Sequence, residues 1–157
     1  MQGHDLAMML RSAYLAMHRR CDAHFARAGV TADQFVVLAA LAEEDALTQQ
    51  ALVARTSSDP NTIRAMLVLL ERRQLVQRRA HPTDRRARSV TLTSHGRQVY
   101  RRLWNGSESL RKQLVAPFSA SETAGLLQSL SKIVTSMQAT AAEERPPKRL
   151  RTAAASR

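Results

Sequence analysis

Apolar residues recur every three or four positions along most of the chain, the spacing of amphipathic helices. Over residues 5 to 28, Leu6, Leu10, Ala13, Met17 and then Cys21 or Phe25 step along one face, and Gly29 ends the run. Thr31-Ala32-Asp33-Gln34 has the form of a capping box, with Thr31 as cap and Gln34 three residues on. A second helix is predicted from there to about Glu44, turning Phe35, Leu38 and Leu41 inward. It closes on Glu43-Glu44-Asp45, acid at the end where the helix dipole favours cations, so solvent is expected to screen that end. Leu47 is expected to form a very short strand.

The pattern then shortens. A helix from about Thr48 to Arg55 carries Leu52 and Val53, and Thr56 to Ser58 supplies a turn. Asp59 is a good N-cap, and Pro60 suits the first helical position, where its missing N–H is not needed. Ile63, Met66, Leu67 and Leu70 then form one apolar stripe. Asn61, Thr62, Arg64 and Ala65 fall off it, near the helix N-terminus. Small, polar and cationic residues there suit a helix whose first turns meet base edges in a DNA major groove. Leu75 to Ala80 reads as a strand and Ser89 to Leu92 as its partner, with His81-Pro82-Thr83-Asp84-Arg85-Arg86 between them. These elements in this order make a winged helix-turn-helix.

Beyond Thr93, a capping residue, one helix is predicted from Ser94 to Val115, with Val99, Leu103, Leu110 and Leu114 on a near-heptad stripe and Trp104 beside it. Gly106 costs helix stability and marks a bend or close crossing, and Pro117 ends the helix. Ser119-Ala120-Ser121-Glu122 is another capping box, opening a last helix to about Ala142. Its apolar side, Leu126, Leu127, Leu130, Ile133, Val134 and Met137, is broader than one small domain needs for its own core. The first helix and the last segments, about 5 to 28 and 94 to 142, are therefore expected to form a dimerisation bundle around a winged domain of about 31 to 93. The fold class is mainly α with a small β-wing (α+β).

Length and charge sharpen the picture. A chain of 157 residues is most simply one domain, here about 1 to 142. Its 24 Lys and Arg against 13 Asp and Glu leave a formal charge of +11. Only Lys112, Lys132 and Lys148 are lysine, and arginine makes the planar bidentate contacts to phosphate and guanine that lysine cannot. From Glu71 to Arg102 the arginines far outnumber the two acids, Glu71 and Asp84. Such clustering beside a helix-turn-helix points to nucleic acid, although a solvated charge run would have the same composition. Residues 143 to 157 change character: two prolines, five basic residues and an Ala-Ser end describe a disordered basic tail. It reads as a nonspecific contact to DNA phosphates or as a solubilising end.

The string Asp84-Arg85-Arg86-Ala87-Arg88-Ser89-Val90-Thr91-Leu92-Thr93, with Gly96 close behind, resembles the wing signature of the MarR family of bacterial transcription regulators. Leu47-Thr48-Gln49, Leu70-Glu71, Leu75-Val76 and Arg78 fit the same pattern, and the similarity spans roughly residues 10 to 140. Gln74 departs from it, standing where the family often ends its recognition helix with glycine; the helix is expected to end a residue differently. The resemblance implies a homodimer on a pseudo-palindromic duplex site. Asn61 and Arg64 would read bases, and Arg72, Arg78, Arg85 and the tail would bind phosphate. Asp84 would hold Arg86 ready for the minor groove, and Thr48, Ser57, Thr62, Ala65 and Arg88 complete the candidate DNA-contacting set. It also implies a small aromatic or phenolic ligand, commonly an anion, with Tyr14, Met17, His18, Phe35 and Leu38 as candidate lining residues. Each of these also reads as plain hydrophobic core.

No catalytic constellation and no glycine-rich phosphate loop is visible, so an enzyme is not expected, nor a cofactor. The lone Cys21 suits a reducing cytosol, and neither a signal peptide nor a membrane-spanning run is visible, so a cytoplasmic protein is expected. His18, Cys21 and His24, three apart on a helix, share a broad face. Cys21 then reads as a small core residue, as a redox switch activated by Arg19, Arg20 and the histidines, or as part of a zinc site. The functional expectation is a repressor whose effector changes the separation of two recognition helices. Its rivals are a nonspecific architectural DNA-coating protein and a redox-sensing regulator acting through Cys21.

Overall fold

A computed structural model describes residues 1–80 and 88–143. Helix α1 (Gln2–Phe25) tightens into a 3-10 turn, Ala26–Ala28, and Gly29 leaves it in the left-handed conformation at φ 66°. Thr31 caps α2 (Ala32–Glu43): its hydroxyl accepts from the Gln34 N–H, and the Gln34 side chain accepts from the Thr31 N–H. The acids at the end of α2 also meet cations from other helices. Arg55 pairs with Glu44 and Glu43, and Arg97 donates to Asp45 at 2.8 Å. Glu43, Glu44 and Asp45 stay 71%, 56% and 53% exposed, so solvent screens that end as expected, and two arginines from other helices add to it.

Leu47 and Thr48 form β1, and Thr48 caps α3 (Gln49–Thr56). After the turn come α4 (Pro60–Arg72), β2 (Val76–Ala80) and β3 (Arg88–Leu92). The three strands make an antiparallel sheet in the order β1-β3-β2, with Leu47 opposite Val90 and Val76 opposite Leu92. The core lies where α2, α3 and α4 meet this sheet. Leu38, Leu41, Leu52, Ile63 and Leu70 are each 0% exposed there.

Helix α4 ends at Arg72, and Gln74 itself takes the left-handed position at φ 57°. The Gln74 N–H donates to the Glu71 carbonyl and the Leu75 N–H to the Leu70 carbonyl, both at 2.9 Å, so the usual glycine-type terminus forms without glycine. The expected displacement of the helix end does not occur, because these two bonds and the buried Leu75 fix the backbone there. A side chain in this conformation costs roughly 1–2 kcal/mol, part of which glycine returns as unfolded-chain entropy. Gln74→Gly is therefore expected to stabilise the protein by up to about 1 kcal/mol. A thermal melt below that of the parent would contradict this account.

The single helix expected over 94–115 is two, α5 (Ser94–Gly106) and α6 (Glu108–Val115). The break falls at Ser107, just beyond the bend expected at Gly106. Ser107 is 4% exposed; its hydroxyl donates to the Trp104 carbonyl at 3.0 Å and accepts from Arg111 at 2.7 Å. The Trp104 carbonyl thus receives side-chain donors at the break, from Ser107 and Arg111.

The chain divides into two compact units, Met1–Leu114 and Val115–Arg157. In the second, Ser119 and Glu122 form the expected capping box at the start of α7 (Ala120–Glu143), the Glu122 carboxylate accepting from the Ser119 N–H at 2.8 Å. Leu127 and Met137 on this helix are each 63% exposed. No single helix among the described residues is long and apolar enough to cross a membrane.

Candidate nucleic-acid interface

The helix pair α3–α4 is held by its ends. Ser57 closes α3 in the left-handed conformation at φ 51°. Asp59 caps α4, its carboxylate accepting the Asn61 and Thr62 N–H groups at 2.9 Å each and the Thr62 hydroxyl as well. Those bonds, the Thr62 hydroxyl foremost, hold the Asp59 carboxyl below its ordinary range. Gln49 of α3 donates to the Pro60 carbonyl at 3.2 Å, fixing the start of one helix on the other. The stripe Ile63, Met66, Leu67 and Leu70 is buried, which leaves Asn61, Thr62, Arg64 and Ala65 exposed on one outward face.

The remaining candidates divide. Arg72 is exposed in the last turn of α4, and Arg88 is exposed at the start of β3, opposite Ala80. Thr48 turns its hydroxyl to the Ala51 N–H at 3.1 Å, so capping uses a group expected at DNA. Arg78, expected at a phosphate, lies beside Glu71. Its Nε lies 3.4 Å from Glu71, its side chain is 33% exposed, and its Nη2 is buried with no hydrogen-bond partner among the described residues. It braces the end of α4 against β2. Asp84, Arg85, Arg86 and the basic tail lie outside the described residues.

Arg73 went unnoticed in the sequence. From the C-cap of α4 its guanidinium donates to the Ala28 carbonyl at 2.7 Å and to the Gly29 carbonyl. One planar fork thereby ties the end of the recognition helix to the end of α1. Only its charge is visible in the sequence.

A cleft of about 490 Å³ opens between α1, α2, α5 and α6. Tyr14, Met17, His18 and Phe35 line it as expected, but Leu38 does not: one helical turn on from Phe35 it points into the closed core. Trp104, Arg20 and Arg111 also line it and were missed. The rings of Phe25 and Phe35 stack at 4.4 Å, and Arg111 lies 4.1 Å over the Trp104 ring. Cys21 is half-buried at the same cleft. Burial first, and Asp22 second, raise its thiol above the ordinary value, so the positive neighbours expected to activate it do not prevail. His18 is engaged by Asp22 and Asp33, at 3.1 and 3.3 Å, and His24 packs edge-on against Phe25. Among the described residues no group of three or more His, Cys, Asp and Glu is placed to hold a metal ion.

A short helix pair, an antiparallel wing and an outward polar face on the second helix define a winged helix-turn-helix DNA-binding protein. The MarR family model matches residues 30–87. The transcriptional regulator HosA of Escherichia coli O127:H6 is 30% identical over 105 residues, 67% of this chain and 78% of HosA. The structure of the transcriptional repressor CouR bound to a 23-mer DNA duplex is 26% identical with a TM-score of 0.74, covering 82% of this chain and 92% of CouR. That of Bordetella bronchiseptica BpsR, whose DNA binding is regulated by 6-hydroxynicotinic acid, is 28% identical with a TM-score of 0.74, covering 82% of this chain and 91% of BpsR. The chain belongs to the MarR family and is a DNA-binding transcription regulator, not an enzyme.

Proposed function

We propose that the protein is a homodimeric repressor that binds a pseudo-palindromic operator in the cytoplasm and releases it when a small molecule enters the α1–α2–α5–α6 cleft. The observation that carries this reading is the exposed face of α4, where Asn61, Thr62, Arg64 and Ala65 stand clear of a fully buried stripe. Asn61 and Arg64 offer the bidentate groups that read adenine and guanine. Arg72 and Arg88 fall to phosphate. Exposed apolar side chains on α1 (Leu6, Met9) and on α7 (Leu127, Val134, Met137) support self-association, since a soluble surface seldom leaves so many large apolar groups uncovered. The cleft is walled by α2 of the winged domain and by α1, α5 and α6 of the dimerisation segments, so a ligand there bears on the spacing of two recognition helices. CouR, a repressor bound to DNA, and BpsR, regulated by 6-hydroxynicotinic acid, support the same reading.

Sedimentation at micromolar concentration is expected to give a dimer. The dimer should select, from random duplexes, paired half-sites about 34–36 Å apart. A stable monomer, or binding that random duplex competes away as well as any selected site, would replace this reading with the nonspecific coating that a charge of +11 also permits.

A further inference from the structure

Two large apolar side chains stand on the outside of α4. Val68 is 36% exposed and Leu69 47%, although the stripe on the other side of the helix is sealed in the core. The two point in different directions. At about 100° per residue, Val68 shares the outermost strip of the helix with Asn61, Ala65 and Arg72, within roughly 60° of arc. Arg64 lies one turn earlier and about 40° to the side, whereas Leu69 is turned away by about 100°, toward Thr62. Asn61, Arg64, Ala65 and Val68 are thus spaced i, i+3, i+4, i+7, and all four are exposed. That spacing is the one through which a helix lying in a major groove reaches base edges. Val68 has neither donor nor acceptor to offer a base, and it sits between two exposed cations, Arg64 and Arg72, that draw DNA to this face.

We infer that Val68 reads a thymine in each half-site by packing on its C5-methyl group. The inference rests on the reading of α4 as the helix that enters the major groove, and adds to it a base contact of apolar chemistry. The major groove edge of the four bases carries one apolar group, the thymine methyl, and an aliphatic side chain recognises it by contact. A purine or a cytosine at the same place presents polar atoms, from which Val68 strips water without returning a hydrogen bond. Thymine instead buries its methyl group and the exposed part of the valine together. Val68 lies four residues beyond Arg64, about 6 Å along the helix axis, and stacked bases are about 3.4 Å apart. The thymine therefore falls within about three base pairs of the guanine that Arg64 contacts. Arg72, one turn further along the same strip, is left for the backbone beyond it.

Selection from random duplexes with the full chain supplies the probe. Each thymine of the selected duplex is then replaced singly by deoxyuridine, which removes the C5-methyl group and keeps the base pair. At one thymine in each half-site the replacement is expected to weaken binding by the parent about fourfold, which is the ~0.8 kcal/mol of one buried methyl group at 1.4 kcal/mol per tenfold. Val68→Ala places a better helix former at an exposed position, so the fold is retained. This variant is expected to bind the thymine duplex more weakly than the parent and to lose its sensitivity to that one replacement. Any change that deoxyuridine makes to the duplex itself cancels in the comparison, because both proteins meet it equally. Leu69→Ala is expected to keep the sensitivity. Equal sensitivity in the parent and in Val68→Ala overturns the assignment, as does its loss in Leu69→Ala. If no thymine is sensitive in a duplex that the parent still prefers to scrambled DNA, the thymine contact is overturned and base readout stays with Asn61 and Arg64. A parent that does not distinguish selected from scrambled duplex overturns the reading of α4 as well.

Discussion

Gly96→Ala is expected to destabilise the protein by about 3 kcal/mol, the upper part of the usual range for overpacking. Gly96 is buried in the first turn of α5, where its N–H donates to the Thr93 hydroxyl oxygen at 2.9 Å. A methyl group there would overlap the Leu75 carbonyl oxygen and lie 2.8 Å from the carbonyl carbon. The obstacle is backbone, which cannot rotate aside as a side chain can. It is also backbone in use: the Leu75 carbonyl accepts the Thr93 N–H at 3.1 Å, and the Thr93 hydroxyl donates to the Gln74 carbonyl at 2.6 Å. Helix α5 would have to move off the link between α4 and β2, loosening the terminus that Gln74 forms. Denaturant unfolding should show a lower midpoint at unchanged slope, and the melting temperature should fall by roughly 10 °C. A variant that melts within about 2 °C of the parent would show that this contact is not the constraint described.

The second large effect falls on DNA. Arg64 is exposed near the start of α4 and makes no ion pair with a described residue, so its fork is available to the O6 and N7 of a guanine. Arg64→Ala is expected to cost about 1–3 kcal/mol of discrimination at one base position in each half-site, leaving the melting temperature unchanged. Arg72→Ala should behave differently, weakening specific and random duplexes alike and lowering the salt slope by about one counterion, because a phosphate contact carries no sequence information. The two variants are compared on selected and scrambled duplexes at several salt concentrations. Uniform weakening by Arg64→Ala would move that residue to the phosphate-contacting set and leave base readout to Asn61 and its neighbours.

The sequence determined whatever is decided within about four residues along the chain. The caps at Thr31, Asp59 and Ser119 were legible because each joins a side chain to an N–H two or three residues on. The stripe Ile63, Met66, Leu67 and Leu70 was legible because helical period alone puts those residues on one side, and the same period put Asn61, Thr62, Arg64 and Ala65 on the other. The wing followed from two short β-patterned runs beside a turn, and even the two-residue strand at Leu47 was visible.

The tertiary structure decided what depends on groups brought together from afar. Arg73 reads as one more positive charge until the fold sets it against carbonyls 44 and 45 positions away. Gly96 belongs to a recognisable string, but the reason for a glycine is Leu75, reached only once α5 folds back on the start of β2. The apolar pattern could not separate Phe35, which lines the cleft, from Leu38, which is sealed in the core, since both lie on the inward side of α2. Nor could it show that Arg78 lies against Glu71, or that Arg20 and Arg111 reach Gln113 and the Trp104 carbonyl. Periodicity orients a side chain about its own helix; what that side chain meets is fixed by the packing of other elements, and a cation's availability depends on which acceptor that packing brings within reach.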